Sequence, residues 1–172
     1  MKLELPEFNY CPRCGSHVEL VEKEGRVRPV CASCGHIVYI NPAPAAALVL
    51  LDGDRVLLTL RSVEPKKGWW CLPGGFLEWG EGPEEGGARE LCEETGLNGG
   101  DFTIIGVWDS ISGERMHVLV VAYRVASWSG DLVAGDDAEE VRWFDLDDMP
   151  PLAFEVHRKA LAKAVMKHQT SS

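Results

Sequence analysis

Apolar runs along the chain predict a domain with several strands. Ala45 to Leu51 is continuously apolar, which is the pattern of a buried strand, and Asp52-Gly53 behind it has the composition of a hairpin turn. Further strand-like runs cover residues 55–60, 102–108, 116–125 and 140–144. We therefore expect five strands after residue 42, the first two of them joined by a tight turn.

Two segments carry the signals of helices. The first runs from about Pro83 to Thr95, because proline suits the first helical turn and Gly96 can adopt the left-handed conformation that ends a helix. The second runs from Phe154 to His168 and has one apolar face and several cations. A basic amphipathic helix can bind a membrane surface, but packing against a sheet is the more ordinary role and is the one we expect.

Three glutamates lie on one face of the first predicted helix. Glu90, Glu93 and Glu94 stand at i, i+3 and i+4, so their carboxylates are neighbours. Most such clusters are solvated acidic stripes. A hard divalent cation would relieve the repulsion, since Mg²⁺ takes oxygen ligands. The spacing by itself leaves both interpretations open.

Composition and charge limit the classes of partner. The 172 residues with 45% hydrophobic content suffice for one domain and a small appendage. No apolar run approaches 18 residues and the first residues lack a signal-peptide core, so we expect no membrane partner and a cytoplasmic location. The net charge of -10 disfavours nucleic acid as a general partner.

Four of the six cysteines form two CxxC pairs. Cys11 and Cys14 are separated from Cys31 and Cys34 by sixteen residues, a spacing typical of zinc ribbons. Four thiolates can hold a structural Zn²⁺ in a closed tetrahedral site. Disulfides and a redox motif are the alternatives; zinc is favoured because no secretion signal is seen and a thioredoxin-type motif would come singly. A segment of about 40 residues would need such a metal to fold.

The glycine loop and the acidic helix together resemble the signature of the Nudix hydrolases. The matching residues are Gly75, Glu81, Arg89, Glu90, Leu91, Glu93, Glu94, Gly96 and Leu97. This resemblance implies an α/β fold, an α/β/α sandwich with a mixed sheet, preceded here by the zinc ribbon. We accordingly expect a ribbon over residues 1–42 and a hydrolase domain over residues 43–172.

The family resemblance also implies roles for individual residues. Glutamates that match Glu90, Glu93 and Glu94 bind Mg²⁺ or Mn²⁺ in that family, and the glycine that matches Gly75 offers its carbonyl. The glutamate that matches Glu81 is mostly structural and pairs with the arginine that matches Arg89. In many members a further glutamate before a Trp-Phe pair reaches the metals or the attacking water. Glu140 resembles it, and Glu139 is the second choice. The expected catalytic carboxylates are Glu90, Glu93 and Glu140.

Aromatic residues flank the glycine loop on both sides. They are Trp69, Trp70, Phe76 and Trp79. A nucleobase or a flavin could stack on such rings. We expect some of the four to contact substrate and the others to belong to the core.

The same resemblance also indicates which substrates to expect. A zinc ribbon joined to a Nudix domain is similar to the NADH pyrophosphatases and to a shorter set related to ADP-ribose and FAD pyrophosphatases. The first group carries an SQPWPF-like segment after the signature, whereas residues 109–115 here read DSISGER. We expect Mg²⁺-dependent hydrolysis of ADP-ribose or FAD with release of AMP, and we keep NADH as the second choice.

Another class of function is a Nudix-derived regulator that senses nucleotides or binds nucleic acid. Such regulators have decayed signatures, and the signature here is intact. Residues 1–42 carry five basic and five acidic side chains and so lack the excess of positive charge expected of a nucleic-acid-binding surface. We expect the ribbon to brace the catalytic domain or to build a homodimer interface. Oxidised nucleoside triphosphates are a further substrate class that no residue excludes.

Overall fold

The computed structural model describes residues 8–112 and 116–169, and two units of structure are seen, one ending at Pro42 and the other beginning at Ala43. In the first unit, β1 (Val18–Lys23) pairs antiparallel with β2 (Arg26–Cys31). Glu24 and Gly25 connect the strands, both with positive φ (54° and 72°), which is the backbone form that lets a two-residue turn follow the twist of its strands.

The second unit contains all the predicted strands and both predicted helices. Its elements are β3 (Ala43–Asp52), β4 (Arg55–Arg61), β5 (Trp70–Cys71), α1 (Pro83–Thr95), β6 (Asn98–Ser112), β7 (Met116–Ser129), β8 (Ala138–Asp145) and α2 (Glu155–Gln169). The prediction of these elements is confirmed. The two-residue strand β5 was not predicted, because it is too short to show an apolar period.

The strands form a mixed sheet, as the family resemblance implied. Its order is β5-β4-β3-β7-β6, and β8 adds to β4. β3 and β7 run parallel, from Ala43 opposite Val118 to Leu50 opposite Val125, and the other strand pairs of this sheet are antiparallel over the described residues. β3 and β4 pair only at their shared turn, and β4 then continues alongside β8.

Alternate residues of β3 enter two different cores, which explains its unbroken apolar run. Leu48 and Leu50 pack with Leu91 of α1 on one face of the sheet. On the other face the core contains Ala47, Val49 and Leu51 of β3 together with Ala160, Leu161 and Ala164 of α2. A helix therefore covers each face, and the predicted sandwich is confirmed.

The buried face of α2 confirms that this helix packs against the sheet. Ala160, Leu161 and Ala164 are at most 5% exposed. Within the described residues, no helix combines the length and the apolar character that a membrane crossing requires.

The start of β6 lies where glycines made a strand hard to predict. Gly99 and Gly100 are poor strand formers. A side chain at Gly99 would bring its Cβ within 2.9 Å of Leu91 Cδ2 and of the Phe102 ring. Only a glycine lets this end of β6 pass so close to α1.

Candidate active site

The glycine loop before α1 lies directly against the carboxylates of that helix. A Cβ added at Gly75 would stand 2.6 Å from Cδ and both carboxylate oxygens of Glu90. The neighbouring Gly74 has φ +136° and donates its N–H to Glu94 Oε2 over 2.9 Å. Gly75 O accepts from Ala46 N–H at 2.9 Å, which ties the loop to β3. Three of the predicted site residues, Gly75, Glu90 and Glu94, are thus brought together.

Two glycines inside α1 allow the helix to approach its neighbours. A Cβ at Gly86 would be 2.5 Å from Leu77 Cδ2, and one at Gly87 would be 3.1 Å from Leu48 Cδ2. Each glycine costs a helix about 1 kcal/mol relative to alanine. The close contacts explain why this sequence accepts that cost: the acidic face could not otherwise come so near to β3.

Caps fix where α1 begins and ends. The Glu85 carboxylate accepts from Gly82 N–H at 3.0 Å, and this acidic side chain also suits the positive end of the helix dipole. At the other end Gly96, with φ 73°, donates its N–H to Cys92 O over 2.9 Å. These ends are the ones that the sequence predicted, so the register of the three glutamates is the predicted one.

Arg89 contacts four groups around the acidic face. Its guanidinium bonds both oxygens of Glu81, at 2.7 and 3.1 Å, and the Phe76 carbonyl at 3.0 Å. Its Nη1 reaches Glu90 Oε1 at 3.0 Å and Glu93 Oε2 at 2.8 Å. Arg89 therefore joins the loop before α1 to two of the carboxylates predicted to bind metal.

Burial shifts the proton affinity of the acidic face. It raises the pKa of Glu90, against the opposing effect of Arg89. It also raises the pKa of Glu94 to about 8, an effect to which the negative charges of Glu90 and Asp137 add. Glu94 is only 5% exposed. Burial thus disfavours the ionised form of both Glu90 and Glu94.

These residues fit a hard divalent cation. The donor set is carboxylate oxygen with a backbone carbonyl beside it, which Mg²⁺ and Mn²⁺ both accept. A cation near Glu90 and Glu94 would reverse the unfavourable burial of negative charge, because opposite charge favours the ionised form.

A cleft of about 200 Å³ opens beside the glycine loop, and we call it the inner cleft. Its walls include Gly74 and Gly75 of the loop, Arg61 at the end of β4, and Phe154 with His157 near the start of α2. The Arg61 guanidinium lies 5.3 Å from the centre of the Phe154 ring. An aromatic ring and a cation next to carboxylates suit a ligand that has a base or sugar at one end and phosphates at the other.

The four predicted aromatic residues lie in different surroundings. Phe76 lines the inner cleft and is 46% exposed. Trp70 packs edge-on against Phe144 in the core, with ring centres 4.6 Å apart. Trp69 lies under Lys66, and Trp79 is fully exposed. Phe76 is thus the one of the four that lines the inner cleft.

Three residues at the inner cleft were not singled out from the sequence. Arg61 and Phe154 sit at the ends of predicted elements, where a pattern gives no hint of a cleft. Asp137, just before β8, also lines the inner cleft, whereas Glu140 within β8 pairs with Arg142. The sequence does not show that these two carboxylates have different surroundings; the three-dimensional structure does.

The four predicted zinc cysteines converge in the first unit. Their sulfur atoms all lie within 4.8 Å of one another, and the Cys11–Cys34 and Cys14–Cys31 sulfurs are 3.7 and 3.5 Å apart. Disulfide sulfurs would be about 2 Å apart. Sulfurs at tetrahedral positions about 2.3 Å from Zn²⁺ would be separated by roughly 3.8 Å, so the cluster fits zinc.

Short backbone turns shape this cysteine cluster. Gly15 and Gly35, at φ 72° and 70°, donate to the carbonyls of Cys11 and Cys31. The Arg13 N–H also points at Cys11 Sγ, at 3.4 Å. The two CxxC segments are therefore built alike, as a tetrahedral thiolate site requires.

Comparison with known families identifies both parts of the chain. A family model described as NUDIX domain matches residues 41–164. A second model, described as Nudix N-terminal and specific for a zinc ribbon, matches residues 9–40.

Individual relatives carry the comparison further. The ADP-ribose pyrophosphatase of Methanocaldococcus jannaschii is 40% identical over 125 residues, covering 72% of this chain and 73% of that protein. The NAD-capped RNA hydrolase NudC of Pseudomonas aeruginosa is 31% identical over 144 residues, covering 83% of this chain. The chain spans about half the length of NudC, 50%. A NUDIX hydrolase structure from Nitrosomonas europaea matches with TM-score 0.75 and 28% identity, covering 96% of this chain and 94% of the other.

Proposed function

The chain belongs to the NUDIX family and is a pyrophosphohydrolase, and on that premise we propose that it hydrolyses ADP-ribose to AMP and ribose 5-phosphate. FAD, with the same adenosine diphosphate half, is the alternative substrate. The match to an ADP-ribose pyrophosphatase at 40% identity supports this order of preference.

The observation that carries the proposal is the position of the inner cleft at the acidic face of α1. Gly74 and Gly75 line the cleft, and the same two residues contact the carboxylates of Glu94 and Glu90. A diphosphate placed beside the loop would lie next to the carboxylates, while its organic groups meet Phe76 and Phe154. Binding and hydrolysis then use one continuous surface.

We assign two metals to the chain. Glu90, Glu93 and Glu94, with the Gly75 carbonyl, would hold Mg²⁺ or Mn²⁺, and the four cysteines would hold a structural Zn²⁺. When bound, the divalent cation at α1 neutralises phosphate charge and lowers the pKa of water. The Zn²⁺ site is closed and has no part in the reaction.

The chain's own residues orient the reacting groups. Arg89 holds Glu90 and Glu93 through Nη1, and Gly74 N–H holds Glu94. Arg61 faces the inner cleft, where its charge is available to a phosphate oxygen. Groups that the fold holds in place in this way need little reorganisation during a reaction.

The reaction requires one proton transfer. The oxygen of water forms a bond to one phosphorus while the bond from that phosphorus to the bridging oxygen breaks, and the electron pair stays with the departing phosphate. Glu93 is the proposed acceptor of the water proton, since its side chain is 45% exposed and can meet water. Glu140 is the other acceptor that the family resemblance suggests, and its carboxylate pairs with Arg142.

A second candidate substrate class is supported by the NudC relatives. These relatives are NAD-capped RNA hydrolases, so the expectation that nucleic acid is no partner does not extend to the whole family. NADH also remains the second choice among small substrates. The segment that argued against NADH includes residues 113–115, which lie outside the described residues.

A substrate panel tests the proposal. Purified protein would be incubated with Mg²⁺ and ADP-ribose, FAD, NADH or a NAD-capped RNA, and the products separated by chromatography. We expect AMP from ADP-ribose at the highest kcat/KM. Preference for the capped RNA would replace the proposed substrate, and no release of AMP from any of them would reject it.

Matched variants separate catalysis from contamination. Glu90→Gln should remove activity, because it replaces a proposed metal ligand. Glu84→Gln removes one charge from the exposed first turn of the same helix and should retain activity. Water enriched in ¹⁸O would show which phosphate receives the attacking oxygen.

A further inference from the structure

His157 is a buried side chain that forms part of the wall of the inner cleft. It lies near the start of α2 and is 9% exposed. Its ring centre lies 5.1 Å from that of Phe154, with the two rings edge to face. The proposed reaction gives this ring no role. Because buried polar atoms need partners, the surroundings of its two ring nitrogens decide what the ring can do.

The bond to Leu72 fixes which ring nitrogen of His157 carries the proton. Nδ1 lies 3.1 Å from Leu72 N–H, and a backbone N–H can only donate. Nδ1 is therefore the unprotonated acceptor, and the single proton of the neutral ring is on Nε2. Burial, and then the charge of Arg61, lowers the pKa of His157 to about 3, so the ring stays neutral near pH 7. His157 is thus a neutral donor.

Nε2 of His157 has no partner in the part of the chain that the structure describes. It is not sealed in the core either, because Arg28 Nε is the single buried side-chain nitrogen or oxygen without a partner among residues 8–112 and 116–169. Solvent therefore reaches Nε2, and the opening that this ring lines is the inner cleft. The fold presents one unused N–H to a ligand in that cleft.

The walls of the inner cleft indicate what kind of atom this N–H can bind. Val118, Val120 and Val156 line the cleft with their apolar side chains. Phosphate groups belong near Arg61 and the divalent cation, because a charge among apolar side chains is costly unless it is paired. An uncharged acceptor needs only a neutral donor. The N–H of His157 therefore suits the base or a sugar of the ligand better than its phosphates.

We propose that His157 Nε2–H donates a hydrogen bond to an uncharged acceptor of the substrate, a ring nitrogen of the base or a hydroxyl oxygen of a sugar. This inference rests on the proposed function, since that function places a nucleotide in the inner cleft. His157 is then a specificity-determining residue. A ligand without an acceptor at this point leaves the N–H unpaired and binds more weakly.

Two variants separate ligand binding from the structural bond to Leu72. In His157→Asn the amide oxygen can replace Nδ1 and keep that bond, but the side chain is too short to reach the position of Nε2. In His157→Gln the longer side chain can bring an N–H to the position of Nε2, but it leaves Leu72 N–H unpaired. We expect His157→Asn to lose ligand affinity and His157→Gln to lose more thermal stability than affinity.

Nuclear magnetic resonance of the full-length protein labelled with ¹⁵N in histidine measures the ring directly. The signals of His157 are those missing from His157→Asn, and their shifts distinguish a protonated Nε2 from an unprotonated Nδ1. AMP, ribose 5-phosphate and inorganic phosphate would be titrated separately in the same Mg²⁺ buffer. We expect AMP or ribose 5-phosphate to shift Nε2, and the ligand that does so to bind His157→Asn roughly five- to tenfold more weakly.

The same titrations identify the acceptor and can overturn the proposal. A shift with AMP alone places the acceptor in the adenosine half, and one with ribose 5-phosphate places it in the other sugar. The proposal is wrong if neither ligand moves Nε2, if inorganic phosphate moves it as much, or if His157→Asn binds as the wild type does. Should no substrate be hydrolysed while AMP still shifts Nε2, the proposed function fails and the donor role stands.

Discussion

The Arg89 guanidinium bonds both carboxylate oxygens of Glu81, from Nε over 2.7 Å and from Nη2 over 3.1 Å. This bidentate geometry needs the planar fork of arginine, which a lysine ammonium does not reproduce. The same side chain still reaches Glu90 and Glu93 through Nη1. One residue therefore couples the loop before α1 to the acidic face.

Replacing Arg89 by lysine should break the bidentate bond to Glu81 and the bonds to Glu90 and Glu93. We expect Arg89→Lys to lower the melting temperature by about 2–4 °C and to reduce kcat more than it raises KM, because Glu90 and Glu93 lose their orientation. Differential scanning fluorimetry and steady-state kinetics on ADP-ribose measure the two effects. Lys159→Arg, on the exposed side of α2, is the matched exchange and should change neither.

Acid should weaken the Glu81–Arg89 pair. The hydrogen bonds from Arg89, and then that from Glu78 N–H, lower the pKa of Glu81 to about 2. A carboxylate with a lowered folded-state pKa stabilises the fold above its unfolded value, about 4.3, and this contribution is lost as the pH falls toward 2. Urea unfolding of Glu81→Gln should lack that part of the pH dependence. An unchanged profile relative to the wild type would contradict the assignment.

Burial of His157 predicts a second pH effect. Burial lowers the pKa of His157 to about 3, and the charge of Arg61 acts in the same direction; Nδ1 accepts from Leu72 N–H at 3.1 Å. Below pH 6.5 the unfolded chain takes up a proton that the folded chain refuses, so stability falls with a slope of about 1.4 kcal/mol per pH unit toward pH 3. In His157→Asn this slope should disappear. Urea unfolding between pH 4 and 7 would measure the difference.

The two loop glycines should fail in different ways when mutated to alanine. Gly75→Ala brings Cβ against the Glu90 carboxylate at 2.6 Å, so we expect weaker Mn²⁺ binding and lower kcat with little loss of stability. Gly74→Ala requires φ +136° and brings Cβ to 2.2 Å from Ala46 O, so it should destabilise the fold by roughly 1–3 kcal/mol. Equal melting temperatures for both variants would contradict this distinction.

Removing zinc should unfold the first unit alone. The described part of the unit that ends at Pro42 has few buried apolar residues besides Val38 and two cysteines, so we expect the proposed Zn²⁺ to supply much of its folding free energy. Cys31→Ser should lose about one Zn²⁺ per chain. Two-dimensional NMR should then show dispersed amide signals for residues after 43 and collapsed signals for β1 and β2.

The fold was largely predictable because its signals are local or belong to a long motif. The ends of α1 follow from Pro83 and Gly96, and the buried run of β3 is unmistakable. β5 was missed because its two residues are held only by pairing with β4 and by a bridge from Trp70 to Leu152. Such pairing depends on parts of the chain that are distant in sequence.

The candidate site was predictable only in part. The register of α1 places Glu90, Glu93 and Glu94 on one face, and any sequence with this spacing would do the same. The cleft residues Arg61, Asp137 and Phe154 come from three separate segments. Nothing local in those segments indicates that the fold brings them together. Trp69 and Trp79, chosen because they flank the glycine loop, and Glu140, chosen because it precedes a Trp-Phe pair, stay predictions.

The parallel pairing of β3 with β7 sets the time at which the site can form. Everything between these strands, including α1, must be made before Ala43 can pair with Val118. During synthesis the acidic helix therefore leaves the ribosome well before the strand that completes its sheet. Closing so long a loop is slow compared with forming a helix. A nascent chain that ends before residue 116 should hold the glutamates without the cleft that they serve.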